Sequence, residues 1–325
     1  MKIRSRLLAV LLSVSLLTGI MAGCGSSGSE PKEVVPAKQE EAAESESASV
    51  EGEAKEGEEA EAPAEEAAET ADEAAPAGGA VTIEEQVLVD QDGIRVTATE
   101  YVTGGFLGDS IKLLVENNSD KDYTIGCDAL IVNDYMIGDL FASEIAAGKK
   151  ANETIDLYSS ELKAAGIDNV GKIEIYFHAY DSDWNNLFEN VYAEIHTSAF
   201  DSMDTQADDS GMELFNGNGI RIVGKTVDEN SFWGTAILLY CENTSGKNVC
   251  ISVEDMSVNG FMMDPFFATN VYDGKKSIQE ITLFSSELEE NGIESIEEVE
   301  LKFHVYDLKT YDTVVDTDPI TFSAQ

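Results

Sequence analysis

Basic residues are scarce in this chain: 20 Lys and Arg stand against 63 Asp and Glu, for a formal charge of −43. A nucleic-acid backbone or an anionic bilayer surface would be repelled, which excludes nucleic acid as a partner. Four cysteines are too few for a disulfide scaffold, and three histidines in 325 residues leave no pair at metal-ligand spacing. No Gly-x-Ser-x-Gly, His-Glu-x-x-His or phosphate-binding glycine loop occurs, and nothing resembles a Cys/His nucleophile pair. The sequence thus points away from an enzyme and calls for no cofactor. One long apolar run exists, residues 7–20, and it is too short for a comfortable membrane span.

What is present is a duplication. Residues 157–181, LYSSELKAAGIDNVGKIEIYFHAYD, recur as residues 283–307, LFSSELEENGIESIEEVELKFHVYD. Without a gap the match runs back to Gly93 and Gly219 and includes the Gly-Lys-Lys triplets at Gly148 and Gly274. A unit of this length is a whole domain and not a solenoid repeat.

The first residues read as a targeting segment, with Lys2, Arg4 and Arg6 ahead of the apolar run. Met21-Ala22-Gly23-Cys24 follows and resembles the lipobox of bacterial lipoproteins, with Met21 where leucine is usual. That resemblance implies a signal peptide over residues 1–23, cleavage before Cys24, and a diacylglycerated and acylated thiol as the membrane attachment. The chain beyond it is expected on the extracellular face of the cell membrane. Residues 24–80 are rich in Glu and Ala, hold Pro31, Pro36, Pro63 and Pro76, and lack aromatics; they have no apolar face to offset ordering entropy and are expected to be a disordered tether.

Residues 81–200 and 212–325 are the two copies, with residues 201–211 as an Asp/Ser-rich joint. Residues 86–89 and 94–99 read as strands around Asp92-Gly93, a turn needing positive φ, and Ile111, Leu113 and Val115 alternate before the turn at Asn117. Ser159 or Ser160 is expected to cap a short helix that Gly166 ends. Ile173, Ile175, Phe177 and Ala179 should line one face of the closing strand, with Val299, Leu301, Phe303 and Val305 as their counterparts. Many short strands and one brief helix per copy predict a mainly β chain of two tandem antiparallel β-sandwich domains. The landmarks Ser-Ser-Glu-Leu, Gly-Ile and Phe-His-x-Tyr-Asp look like the immunoglobulin-like domains of surface lipoproteins from monoderm bacteria.

Few residues invite chemistry. His178 and His304 fall on the polar strand face, where a hydrogen bond tying strand to loop is the expected role. Residues 181–185 alternate acids as calcium loops do, but the glycine and glutamate of the full pattern are missing. Cys241 and Cys250 flank a hairpin turn; alternation points them to opposite faces, so a bridge needs a bulge, while Cys127 reads as a small buried residue. The remaining candidates are apolar loops: Tyr135 and Met136, Phe232 and Trp233, and the cluster Phe261, Met262, Met263, Phe266 and Phe267. They fill sandwich ends or the join between domains, or form a docking surface. The expectation is a lipid-anchored extracellular, non-catalytic binding protein whose partner is a protein or cell-wall component. A metal- or solute-capturing lipoprotein is the alternative, ahead of an extracellular hydrolase with an unfamiliar site.

Overall fold

A computed structural model describes residues 31–37, 81–138, 140–204, 206–231 and 234–324. The signal segment, Cys24, most of the acidic stretch, Phe232 and Trp233 lie outside the described residues. One strand, β1 (Lys32–Pro36), precedes the copies. Copy one comprises β2 (Gln86–Gln91), β3 (Ile94–Val102), β4 (Gly108–Asn117), β5 (Tyr123–Val132), β6 (Tyr135–Ile137), β7 (Ala142–Ile145), β8 (Lys149–Tyr158), α1 (Ser159–Ala164), β9 (Lys172–Tyr180) and β10 (Asn186–His196). Copy two comprises β11 (Met212–Gly217), β12 (Ile220–Ser231), β13 (Gly234–Asn243), β14 (Val249–Val258), β15 (Phe261–Met262), β16 (Ala268–Val271), β17 (Lys275–Phe284), α2 (Ser285–Glu290), β18 (Val299–Asp307), β19 (Thr313–Asp316) and β20 (Ile320–Ala324).

Each copy is an antiparallel sandwich of the immunoglobulin-like kind. In copy one the order β2-β3-β4-β8 makes one layer, and β5 flanked by β9-β10, β6 and β7 makes the other. Copy two repeats this with β11-β12-β13-β17 against β14, β18 and their short neighbours. The hairpin turns arise where the sequence demands positive φ: Asp92 and Gly93 sit at 51° and 86°, Asn218 and Gly219 at 54° and 78°. Strand alternation does the rest, because period-2 spacing sends every second side chain inward. Ile173, Ile175, Phe177 and Ala179 are fully buried, as are Val299, Leu301, Phe303 and Val305.

Two features differ from the sequence expectation. Lys32–Pro36, inside the expected tether, is a strand paired with β12 and β20. Neither Ser159 nor Ser160 caps α1 with its side chain; Tyr158 is the N-cap residue. The C-terminal end behaves as expected, since the Gly166 amide donates to Lys163 O and the Ile167 amide to Leu162 O, with Gly166 at φ 71°. The joint is tied down, with Asp208 paired to Lys225 (3.0 Å) and Asp209 to Arg221 (2.7 Å).

The cores are separate but touching. Phe177 belongs to the core of copy one, and Phe303 and Phe322 to that of copy two. Val223, Tyr240 and Ile278 of copy two nevertheless pack onto the first core, and Met136 of copy one packs onto the second. A tandem pair joined by apolar contact is more constrained than two beads on a linker.

Candidate functional site

One duplicated landmark, Ser-Ser-Glu-Leu, serves a local device that recurs in both copies, a two-residue hairpin that presents a short third strand. In copy one Asn133 and Asp134, at φ 48° and 70°, turn β5 into β6; in copy two Asn259 and Gly260, at 50° and 82°, turn β14 into β15. An asparagine side chain holds each turn. Asn133 Nδ2 donates to Asn169 O (2.8 Å) while its Oδ1 accepts from the Gly171 and Lys172 amides. Asn259 repeats this with Ser295 O, Glu297 and Glu298. The glutamate of Ser-Ser-Glu-Leu fixes the far end of the short strand: Glu161 Oε2 accepts from the Gly138 amide (2.6 Å), and Glu287 Oε1 from the Asp264 amide (2.8 Å). This explains why that motif is retained although its serines do not cap.

The two short strands meet different fates. In copy one β6 lies parallel to β17 of copy two, with Tyr135 opposite Lys276 and Met136 opposite Ser277, and the Lys276 amide donates to Asp134 O (2.9 Å). Tyr135 is only 4% exposed and the Lys276 ammonium stands 5.4 Å from its ring centroid. Behind it Lys275 pairs with Asp134 (2.7 Å) and with the buried Glu174, and Tyr272 packs edge-on to Tyr176 at 5.0 Å. Burial alone would raise the Asp134 carboxyl, but hydrogen bonds from Lys172 and Lys275 outweigh it and hold it below the usual carboxylate range. Burial would likewise lower the Lys275 ammonium, and its bonds to Asp134 and Glu174 reverse that.

In copy two β15 pairs with β14 on one side and, among the described residues, with nothing on the other. Phe261 is 47% exposed, Met262 67% and Phe266 44%. Beside them an open depression of about 360 Å³ is lined by Glu254, Asp255, Met256, Met263, Asp264 and Pro265. The expected docking surface therefore shrinks: Tyr135 and Met136 are taken up at the join between copies, Met263 is in the second core, and Phe267 is half-buried against it. Phe261, Met262 and Phe266 remain as an apolar patch with an acidic rim.

Other candidates resolve into structural roles. His178 Nδ1 is 2.8 Å from Asp128 Oδ1, and His304 Nδ1 is 2.6 Å from Asp316 Oδ1. The His178 ring stacks on Tyr180 and the His304 ring lies tilted against Tyr306, and these tyrosines stack on Trp184 and Tyr311. Asp181 Oδ1 accepts from the amides of Asp183 and Asn185, closing a turn rather than presenting a cation loop. Those bonds, led by the Asn185 amide, hold the Asp181 carboxyl below its ordinary value. Cys241 and Cys250 are free thiols, as the opposed faces of their strands require, and burial pushes Cys241 up to about 12. Burial also raises Cys250, which exchanges a hydrogen bond with Tyr306. Among the described residues no three His, Cys, Asp or Glu side chains are grouped to hold a metal ion.

No family model and no curated protein matches this chain. Three solved structures overlay it weakly. The Salmonella enterica SafA pilin in complex with the SafB chaperone gives a TM-score of 0.24 at 10% identity, covering 72% of this chain and 98% of that one. The YadV chaperone gives 0.24 at 11%, covering 72% and 100%. A protein of unknown function from Porphyromonas gingivalis gives 0.17 at 9%, covering 66% and 89%.

Proposed function

We propose that this is a lipid-anchored extracellular protein that binds a partner without chemistry, through the uncovered short strand of copy two. One observation carries the reading: residues 135–136 and 261–262 occupy matching positions, the first pair is sealed by the edge strand of a neighbouring domain, and the second pair is open. The partner class is therefore a protein presenting an edge strand with lysine beside small residues, as β17 does to β6. The acidic rim of Glu254, Asp255 and Asp264 favours a cationic partner and disfavours wall polymers rich in phosphate.

Full-length chain with Phe261→Asp and Met262→Asp tests this. Both side chains already face water, so the melting temperature is expected to move by less than about 2 °C. Retention of extracellular proteins by the immobilised variant is expected to fall at least tenfold against wild type. Equal retention would remove the site from consideration.

Attachment rests on Cys24 and has its own measurement. Mass spectrometry of the native protein is expected to find a mature chain beginning at an acylated Cys24; an unmodified secreted product would refute it. Docked β1 also shortens the leash. Residues 25–31 alone separate Cys24 from Lys32, a reach of roughly 25 Å when fully extended.

A further inference from the structure

The seam that β1 fills is a built slot. Lys32 and Glu33 pair with Val227 and Thr226 of β12; Val34, Val35 and Pro36 pair with Ala324, Ser323 and Phe322 of β20. β12 and β20 belong to opposite layers of copy two, so this short strand bridges the two sheets along one side. β11 pairs with β12 only as far as Gly224, and β1 continues the same edge at Thr226. Val34 is the buried residue of the strand, and Lys32 Nζ lies 2.5 Å from Glu229 Oε2.

The floor of the slot is shaped for Val34. A Cβ placed on Gly224 would lie 2.7 Å from Val34 Cγ1 and 3.2 Å from its Cβ, so only glycine leaves room. Copy one carries Ala98 at the matching position, fully buried. Its seam is closed differently, by the residues that directly precede β2. The Ser198 amide donates to Thr82 O (2.8 Å) and the Thr82 amide to Ser198 Oγ (3.1 Å), where Ser198 matches Ala324, the partner of Val34. Val81 and Ile83 pack against that core. In copy two the matching residues include Asp208 and Asp209, whose carboxylates pair with Lys225 and Arg221 at the surface and cannot line an apolar seam. Loss of one methyl at Gly224 and loss of the local filler go together, and both are met by Val34, 190 residues upstream of Gly224.

From this we infer that the seam between β12 and β20 is a replaceable strand-binding site for an extended peptide of the Lys-Glu-Val-Val-Pro type, loaded by the chain's own Lys32–Pro36. The ligand pairs by its backbone with both edges, places a β-branched side chain over Gly224, and sets a cation against Glu229 two residues earlier. Replaceability follows from how little holds β1: five residues and one buried side chain. With so small a buried contact the segment's own pairing is weak, and the same peptide supplied from outside at millimolar concentration displaces it. This inference does not depend on the partner surface or on lipidation.

Hydrogen exchange on the full chain provides the test. Gly224→Ala, which copy one tolerates, is expected to speed exchange at the Val34 and Val35 amides at least tenfold while the β13 and β17 amides keep their protection. Wild-type protection of Val34 and Val35 in Gly224→Ala would overturn the inference. A second arm avoids dependence on that variant: a synthetic peptide of residues 30–38 is titrated into full-length Val34→Asp. Saturable binding that restores protection to Ser323 and Ala324 is expected, with at least tenfold weaker binding by the peptide carrying the same Val34→Asp change. No binding by the unaltered peptide at millimolar concentration, or equal binding by both peptides, would also overturn it.

Discussion

Replacing Asn243 by alanine is expected to destabilise copy two by about 3 kcal/mol, read as a lower urea midpoint at unchanged slope. Asn243 is fully buried where β13 ends. Its Nδ2 donates to Lys247 O and Val271 O, both at 2.7 Å, and its Oδ1 accepts from the Ser245 amide (2.9 Å) and Ser245 Oγ (2.7 Å). One side chain thus satisfies the turn and ties it to the strand before β17. Alanine leaves the Val271 carbonyl and the Ser245 amide without those bonds, and an unpaired buried polar group costs more than a made bond contributes. Asn117 makes the same four bonds in copy one, to Lys121, Ile145 and Ser119, so Asn117→Ala should cost a similar amount there. Asn118, exposed in the same turn, is the control, with a change within about 0.5 kcal/mol. A small effect at both buried asparagines would show that water replaces them.

The strands were legible because their signal is periodic and local. Ile111, Leu113 and Val115, or Val299 to Val305 at every second residue, declare a buried face whatever lies opposite. Asn117 was legible only as a turn residue: composition marks a turn, but the burial of one asparagine depends on strands far along the chain. β1 was illegible for the opposite reason. Two valines among glutamates and alanines carry too little apolar surface to predict order, and the slot that orders them is formed by Gly224 and β20, nearly two hundred residues and more away. The candidate surface illustrates the same limit. Tyr135-Met136 and Phe261-Met262 are equivalent in sequence pattern, yet the first pair is covered and the second open, because β17 of copy two lies along the first. A difference such as Asp134 against Gly260 at matching turns was the available hint, since an acid there supplies a partner for Lys275.

Lys275→Met is expected to cost about 3–5 kcal/mol near pH 7, the usual cost of removing one member of a buried ion pair. Glu174, 5% exposed, would keep only Lys172 at 3.8 Å and the Tyr192 hydroxyl at 3.1 Å. Asp134 would keep Lys172 at 2.7 Å. The pH dependence separates this from a packing effect. The Asp134 carboxyl is depressed in the folded chain, so its contribution is present above its unfolded value and is lost as pH falls through the depressed one. Lys275 is raised, so its contribution is present below the ordinary ammonium value and is lost only as pH climbs through the raised one. Wild type and Lys275→Met should therefore converge in urea stability as the solution is acidified past the Asp134 carboxyl, and differ most around neutrality. Lys149, the matching lysine of copy one, is exposed, and Lys149→Met should change stability by no more than about 0.5 kcal/mol at any of these pH values. If the Lys275→Met deficit stays constant down to acid pH, the join is held by Tyr272 and Tyr176 packing and by the β6–β17 backbone pairing, and charge has no part in it.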